Sequence, residues 1–233
     1  MDRWIFYRNN LLKYIDKDSS ILIIGGSERE HILFSDLNFK NFTISNFKPK
    51  KYKYNFEVID VDATKMSYPD NYFDYVITHA CIHHMNKPHS AILEMYRVSK
   101  IGTLIIEGND SYLMRLSGKL NFSQDFEVAS IDKVNKRGGV NETGIPNYVY
   151  RWNEREIYKT FSSFEPNVDH KTKFQYENDL ENPGIQKNLK KKILTSIMKL
   201  CLKVFFIFFT KQQNLMSIYI DKINSKERIF KDF

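Results

Sequence analysis

Residues 58 to 108 read VIDVDATKMSYPDNYFDYVITHACIHHMNKPHSAILEMYRVSKIGTLIIEG, and no other stretch limits the fold of this chain so strongly. An acidic turn, a buried strand, a His-rich loop, a helix and a second strand follow one another in a single run. Asp62 and Ala63 follow one strand, Phe73 to His79 reads as another, and Ile101-Gly102 makes the turn into Thr103 to Glu107. Three strand ends can then converge on one crevice, which is how open parallel sheets build nucleotide sites.

The rest of the chain supplies what such a sheet needs. Residues 3 to 16 place Trp4, Phe6, Tyr7, Leu11, Leu12 and Ile15 near helical spacing, which predicts a lid helix before the apolar run Ile21 to Ile24. Ser27 to Leu37 suits the first crossover helix, Phe42 to Ser45 a second strand and Phe56 to Val61 a third. Residues 88 to 99 form a helix with Pro88 at its start. This alternation predicts an α/β fold, Rossmann-like and doubly wound: a mostly parallel seven-stranded sheet with helices on both faces. Residues 153 to 163 return to helix, and Val168 to Tyr176 reads as a strand. Leu215, Ser217 and Tyr219 alternate within 213–221 as a final antiparallel edge strand would. Residues 109–150 are longer than a connection requires and read as a substrate-side excursion. At 233 residues all of this fits one domain over 1–233.

The formal net charge of +7 lies mostly in lysine, and its densest run, Lys190 to Lys192, precedes a very apolar segment. That favours an anionic surface as partner over nucleic acid, since no zinc spacing, aromatic RNA-binding motif or helix-turn-helix pattern accompanies the charge. A solvated lysine-rich surface is the plainer alternative. Two cysteines, Cys81 and Cys201, make no disulfide framework and point to a reducing compartment. The start, Met1 to Trp4, lacks a signal-peptide shape, so a cytoplasmic location is expected.

The run from 58 to 108 resembles the middle of the class I S-adenosylmethionine (SAM)-dependent methyltransferases, in the broad type 11-like group. The pattern DA-x-x-L-P-x-D-x-x-F-D-x-V, then L-H-H, then E-x-x-R-V-x-K-x-G-x-L-I-x-E is carried by Asp62, Ala63, Met66, Pro69, Asp70, Phe73, Asp74, Val76, Ile82, His83, His84, Glu94, Arg97, Val98, Lys100, Gly102 and Glu107. Residues 138 to 160 are similar to a bacterial methyltransferase subgroup with Gly-Gly, Pro-Asn-Tyr and Tyr-Arg-Trp signatures. The likeness then spans roughly residues 20 to 222.

The resemblance implies SAM as cofactor, held by Gly25, Gly26, Ser27, Asn46, Asp62, Ala63 and His79. Asp62 would accept from the adenine amino group, and Asn46 would accept from the ribose without the charge the family usually places there. The chain departs from the family pattern at Ile23, where an acidic residue is usual, and at Ser27 and Arg29, which replace glycines. A cofactor-dead scaffold or partner-binding subunit is therefore the alternative reading, and a nucleic-acid methyltransferase a further one.

Methyl transfer from a sulfonium asks a protein to position the acceptor, exclude water and, for an oxygen acceptor, take a proton. An imidazole titrates near neutral pH, so His84, or failing it His83, is the candidate base. Helix capping is the structural alternative for both. No metal is expected, because His79, His83, His84 and His89 lack supporting carboxylate spacing. Tyr148, Tyr150, Arg151 and Trp152 are read as an acceptor wall for a small molecule or a glycan or lipid-linked intermediate, with anchoring of the excursion as the alternative for the aromatics.

Residues 190–209, KKKILTSIMKLCLKVFFIFF, are too lysine-interrupted for a membrane span. A stripe of Lys192, Ser196, Lys199 and Lys203 opposite a broad apolar face suits a helix lying at a membrane's inner surface. Packing on the sheet or on a second subunit would suit it equally, and the sequence does not specify an oligomeric state.

Overall fold

The computed structural model of the protein describes residues 2–49, 56–179 and 189–229. Seven strands form one sheet: β1 (Ser20–Ile24), β2 (Asn41–Asn46), β3 (Val58–Asp60), β4 (Phe73–His79), β5 (Ser99–Gly108), β6 (Val168–Glu177) and β7 (Leu215–Glu227). Their order is β3-β2-β1-β4-β5-β7-β6, with β3 through β5 parallel and β7 antiparallel to both its neighbours. β7 therefore sits one place in from the edge that the sequence assigns it, and β6 is outermost. The order reverses between β1 and β4, so a crevice opens at their carboxyl ends.

Strands β1 and β4 are buried nearly throughout, which explains the apolar stretches Ile21 to Ile24 and Tyr75 to Ile77 at their centres. One face of the sheet carries α1 (Arg3–Tyr14) and α2 (Glu28–Asp36), packed through Tyr7, Leu11 and Phe34. The other carries α3 (Pro88–Val98) and α5 (Glu154–Phe164), packed through Ile92, Met95, Ile157 and Phe161. Pro88 occupies the first turn of α3, where its missing N–H costs nothing.

Ile101 and Gly102 lie inside β5 rather than in a turn before it. A Cβ on Gly102 would come 2.7 Å from the Ile220 carbonyl, so the missing side chain is what lets β7 pair closely here. The excursion from 109 to 150 holds α4 (Tyr112–Lys119) and short 3-10 turns at Val128–Ser130 and Val140–Glu142. The helix expected over 190–209 is α6 (Leu189–Phe208). The side chains of Lys190 to Leu194 and of Ile197, on which part of the stripe reading rests, lie outside the described residues. No helix among the described residues is long and apolar enough to cross a membrane.

Candidate active site

A cleft of about 270 Å³ opens at the carboxyl ends of β1 to β4 and is lined by Gly25, Asn46, Asp62, Ala63, Cys81 and His84, among others. Its far wall is the excursion, which contributes Ser130, Gly138, Gly139, Asn141 and Glu142. Hydrogen bonds fasten the excursion across the cleft. Arg137 donates to the Lys48 carbonyl at 2.7 Å, and the Asn86 N–H donates to Asn141 Oδ1 at 3.2 Å.

Asp62 is exposed, and its Oδ1 accepts from the Thr64 N–H at 2.9 Å and hydroxyl at 2.7 Å. This is an Asx turn, and no described residue bonds Oδ2. Asn46 donates to the Gly26 carbonyl at 3.4 Å and accepts from the Phe47 N–H at 2.8 Å. Gly25 is left-handed at φ +70°, and a Cβ there would collide with Cys81 Sγ. The thiol thus fills the space over the glycine turn. Burial, reinforced by Glu107 and Glu30, pushes its pKa up to about 12, so it stays a thiol.

Gly26, Ser27, His79 and His83 are not among the residues lining the cleft. A Cβ on Gly26 would press on Ile44 at 2.8 Å. Ser27 is the N-cap of α2, and its N–H and hydroxyl both donate to Glu30 Oε2, at 2.8 and 2.6 Å, in a capping box. His79 is buried, stacked on Tyr7 at 4.6 Å with Trp4 at its edge, and its Nδ1 lies 3.7 Å from Glu30 Oε1. His79 Nε2 and Tyr7 Oη are buried with no hydrogen-bond partner among the described residues.

His83 and His84 form a short 3-10 turn, Ile82–His84, after β4. Glu107, at the end of β5, organises this turn: Oε1 accepts from the N–H groups of Cys81 and Ile82 at 2.8 and 2.7 Å, and Oε2 accepts from His83 Nδ1 at 2.8 Å. The excursion brings in a second acid, Glu127. Its Oε2 lies 3.6 Å from His83 Nε2 and 3.5 Å from His84 Nε2, and accepts from Asn147 Nδ2 at 3.2 Å. Sequence reasoning overlooked Glu127 and placed Glu107 in the family pattern without giving it a role in this cluster. The donor atoms of His83, His84 and Glu127 lie within 4.8 Å of one another, a spacing that would also suit a small cation.

Burial disfavours a proton on His83, but Glu107 and Glu127 outweigh it and raise the pKa to about 10. Burial also works against ionising Glu107, yet the His83 charge and hydrogen bond hold its pKa below the usual range. The contact with His83 brings Glu127 down to about 2. His84 shifts the opposite way. Burial and then the neighbouring His83 charge lower its pKa, so it is neutral at pH 7.

Tyr148, Tyr150 and Arg151 line a second, outer pocket of about 650 Å³, together with His89, Asp110, Arg155, Glu156 and Lys159. Its walls share no residue with those of the cleft. Trp152 is fully buried in the core, and its backbone extends the end of β5: its N–H donates to Gly108 at 2.8 Å, and its carbonyl accepts from Asp110 at 2.7 Å. Anchoring is therefore what the structure shows for Trp152. The wall between the two cavities is thin, because Tyr148 faces the outer one while its neighbour Asn147 holds Glu127.

A family model described as a methyltransferase domain matches residues 28–106. The fold is similar to a SAM-dependent methyltransferase from Archaeoglobus fulgidus, 14% identical with a TM-score of 0.55 over 94% of each chain. It is also similar to a Pyrococcus horikoshii protein (16% identical, TM-score 0.53, 94% of this chain and 89% of that one). A SAM-dependent methyltransferase from Methanosarcina mazei is 14% identical, with a TM-score of 0.52 over 91% of this chain and 96% of its own. No curated protein matches the sequence. Residues 28–106 thus carry a methyltransferase-domain match, inside a chain whose fold is that of SAM-dependent methyltransferases.

Proposed function

We propose that this protein transfers a methyl group from SAM to an oxygen of a small molecule or of a glycan or lipid-linked intermediate. The observation that carries the reading is the convergence of Gly25, Asn46, Asp62 and Ala63 on one cleft that His84 also lines. The residues fit an adenosine better than a methionine tail. Asp62 offers an exposed carboxylate oxygen at the end of β3, and buried Ala63 leaves room beside it, whereas Cys81 crowds the glycine turn.

When bound, SAM supplies an electrophilic methyl. The chain's own task is then to orient the acceptor, keep water out and take up its proton. His84 is suited to that task because its imidazole is neutral at pH 7 and lines the cleft. His83 serves as its fixed cationic neighbour, and the excursion closes the far side. Tyr148, Tyr150 and Arg151 suit a polyhydroxylated acceptor, through stacking faces and a guanidinium, at the mouth of the outer pocket.

Crowding by Cys81 favours a second reading, in which the fold serves as a scaffold without cofactor. Calorimetry with SAM and with its demethylated product separates the two. Heat from either ligand supports the enzyme, and none from both supports the scaffold.

A further inference from the structure

We infer that the protein docks on anionic lipid bilayers through a surface made jointly by α4 and the carboxyl-terminal half of α6. α4 buries none of its residues although it is rich in apolar ones, and Tyr112, Leu116, Leu120 and Phe122 stand exposed on it or just beyond its end. On α6, Leu200, Val204, Ile207 and Phe208 are likewise exposed, followed by Phe209. Phe208 is 76% exposed and Phe122 84%, values unlike those of a helix packed on a sheet. An apolar surface of this extent marks a place of contact.

The two helices share a rigid seam. The 3-10 turn Thr210–Gln212 that follows α6 lies against the start of α4. The Gln212 side-chain oxygen accepts from the Leu113 N–H at 3.0 Å, and the Gln212 carbonyl accepts from the Ser111 hydroxyl at 3.1 Å. Asn109 Nδ2, at the end of β5, donates to the Lys211 carbonyl at 2.9 Å. These bonds tie the start of α4 to the turn that ends α6.

Charge selects the occupant. Lys119 on α4 and Lys203 on α6 are exposed among the apolar groups, beside Arg115, which pairs with Asp110 at 3.2 Å, and Lys190 to Lys192 begin the same helix as Lys203 in sequence. A second copy of the chain would bring the same cations to the same face, because a two-fold interface repeats one patch on both sides. An anionic headgroup layer complements them instead. α6 is not apolar enough to cross, so the arrangement is an interfacial one: aromatic and aliphatic groups enter the acyl boundary while lysine and arginine heads stay at headgroup level. The hollow beside α4 shares Asp110, Tyr148 and Arg151 with the outer pocket, which places that pocket next to the docked face.

Co-sedimentation of the full chain with vesicles of phosphatidylcholine, alone or mixed with phosphatidylglycerol, tests the inference. The protein is expected to pellet with the mixed vesicles only and to be released by added salt. Ile207→Ser with Phe208→Ser, and separately Leu120→Ser with Phe122→Ser, should each weaken pelleting at least about tenfold while circular dichroism is unchanged. Lys119→Glu with Lys203→Glu should act in the same direction. Pelleting that is absent, or equal on neutral vesicles, overturns the inference. So does a dimer in analytical ultracentrifugation that the same serine variants dissociate, since the face would then be filled by a second copy.

Discussion

Glu107 holds His83 at 2.8 Å with one carboxylate oxygen and grips the two preceding backbone N–H groups with the other. A single buried side chain at the end of β5 thus sets both the shape of the loop after β4 and the charge of its first histidine. Glu107→Ala should destabilise the protein by about 3–5 kcal/mol, the usual cost of breaking a buried ion pair and leaving its partner uncompensated. Chemical denaturation measures it. A loss below about 1 kcal/mol would mean that the loop keeps its shape by other means.

His83 makes stability depend on pH in a definite direction. Its folded pKa, about 10, lies above the unfolded value near 6.5, so its contribution is fully present below about 6.5 and is lost as pH rises through about 10. Denaturation midpoints of the wild type should fall across that window. His83→Gln should flatten the alkaline part of the curve, and an unchanged slope would assign the dependence to other groups.

For His84 the sign is reversed. A lowered pKa keeps the ring neutral at pH 7, so turnover should hold there and drop only as acidification protonates it. His84→Ala should cut turnover by roughly a hundred- to ten-thousand-fold, the range for loss of a positioned base, with cofactor affinity little changed. Full activity in that variant would move the base elsewhere.

Asp62→Ala should weaken binding of SAM, or of its demethylated product, by about ten- to a hundred-fold, the worth of a charge-assisted hydrogen bond. Titration calorimetry reads this directly, and unchanged affinity would leave Asp62 as a turn residue only.

Gly25→Ala is predicted to cost about 1–2 kcal/mol for the left-handed backbone alone, and more because its methyl meets Cys81 Sγ. Adding Cys81→Gly should recover the steric part and not the backbone part. Recovery of neither would show that the turn, rather than the thiol, is the tight element.

The boundaries of β4 were legible to the residue, Phe73 to His79, because a strand buried on both faces leaves a continuous apolar run between polar turns. Asp62 and Ala63 were legible for a similar reason: they follow a recognisable strand and lie in the cleft. Glu127 was not, since it joins His83 and His84 across an irregular excursion that no periodicity describes. Trp152 shows a different limit. An aromatic residue beside Tyr150 and Arg151 reads equally as wall or as anchor, and only the packing around its fully buried ring decides. Ser27 and His79 are similar cases: the capping box and the Tyr7 stack engage them, and neither is visible in a linear pattern.

Asn147 bonds Glu127 while its neighbour Tyr148 lines the outer pocket, and Glu127 in turn touches the histidine that lines the cleft. The two cavities therefore share a load-transmitting partition rather than a common volume. A molecule that moved Tyr148 and its neighbour Asn147 would act on Glu127, and through it on His84. By thermodynamic reciprocity any such coupling would change both affinities by the same factor.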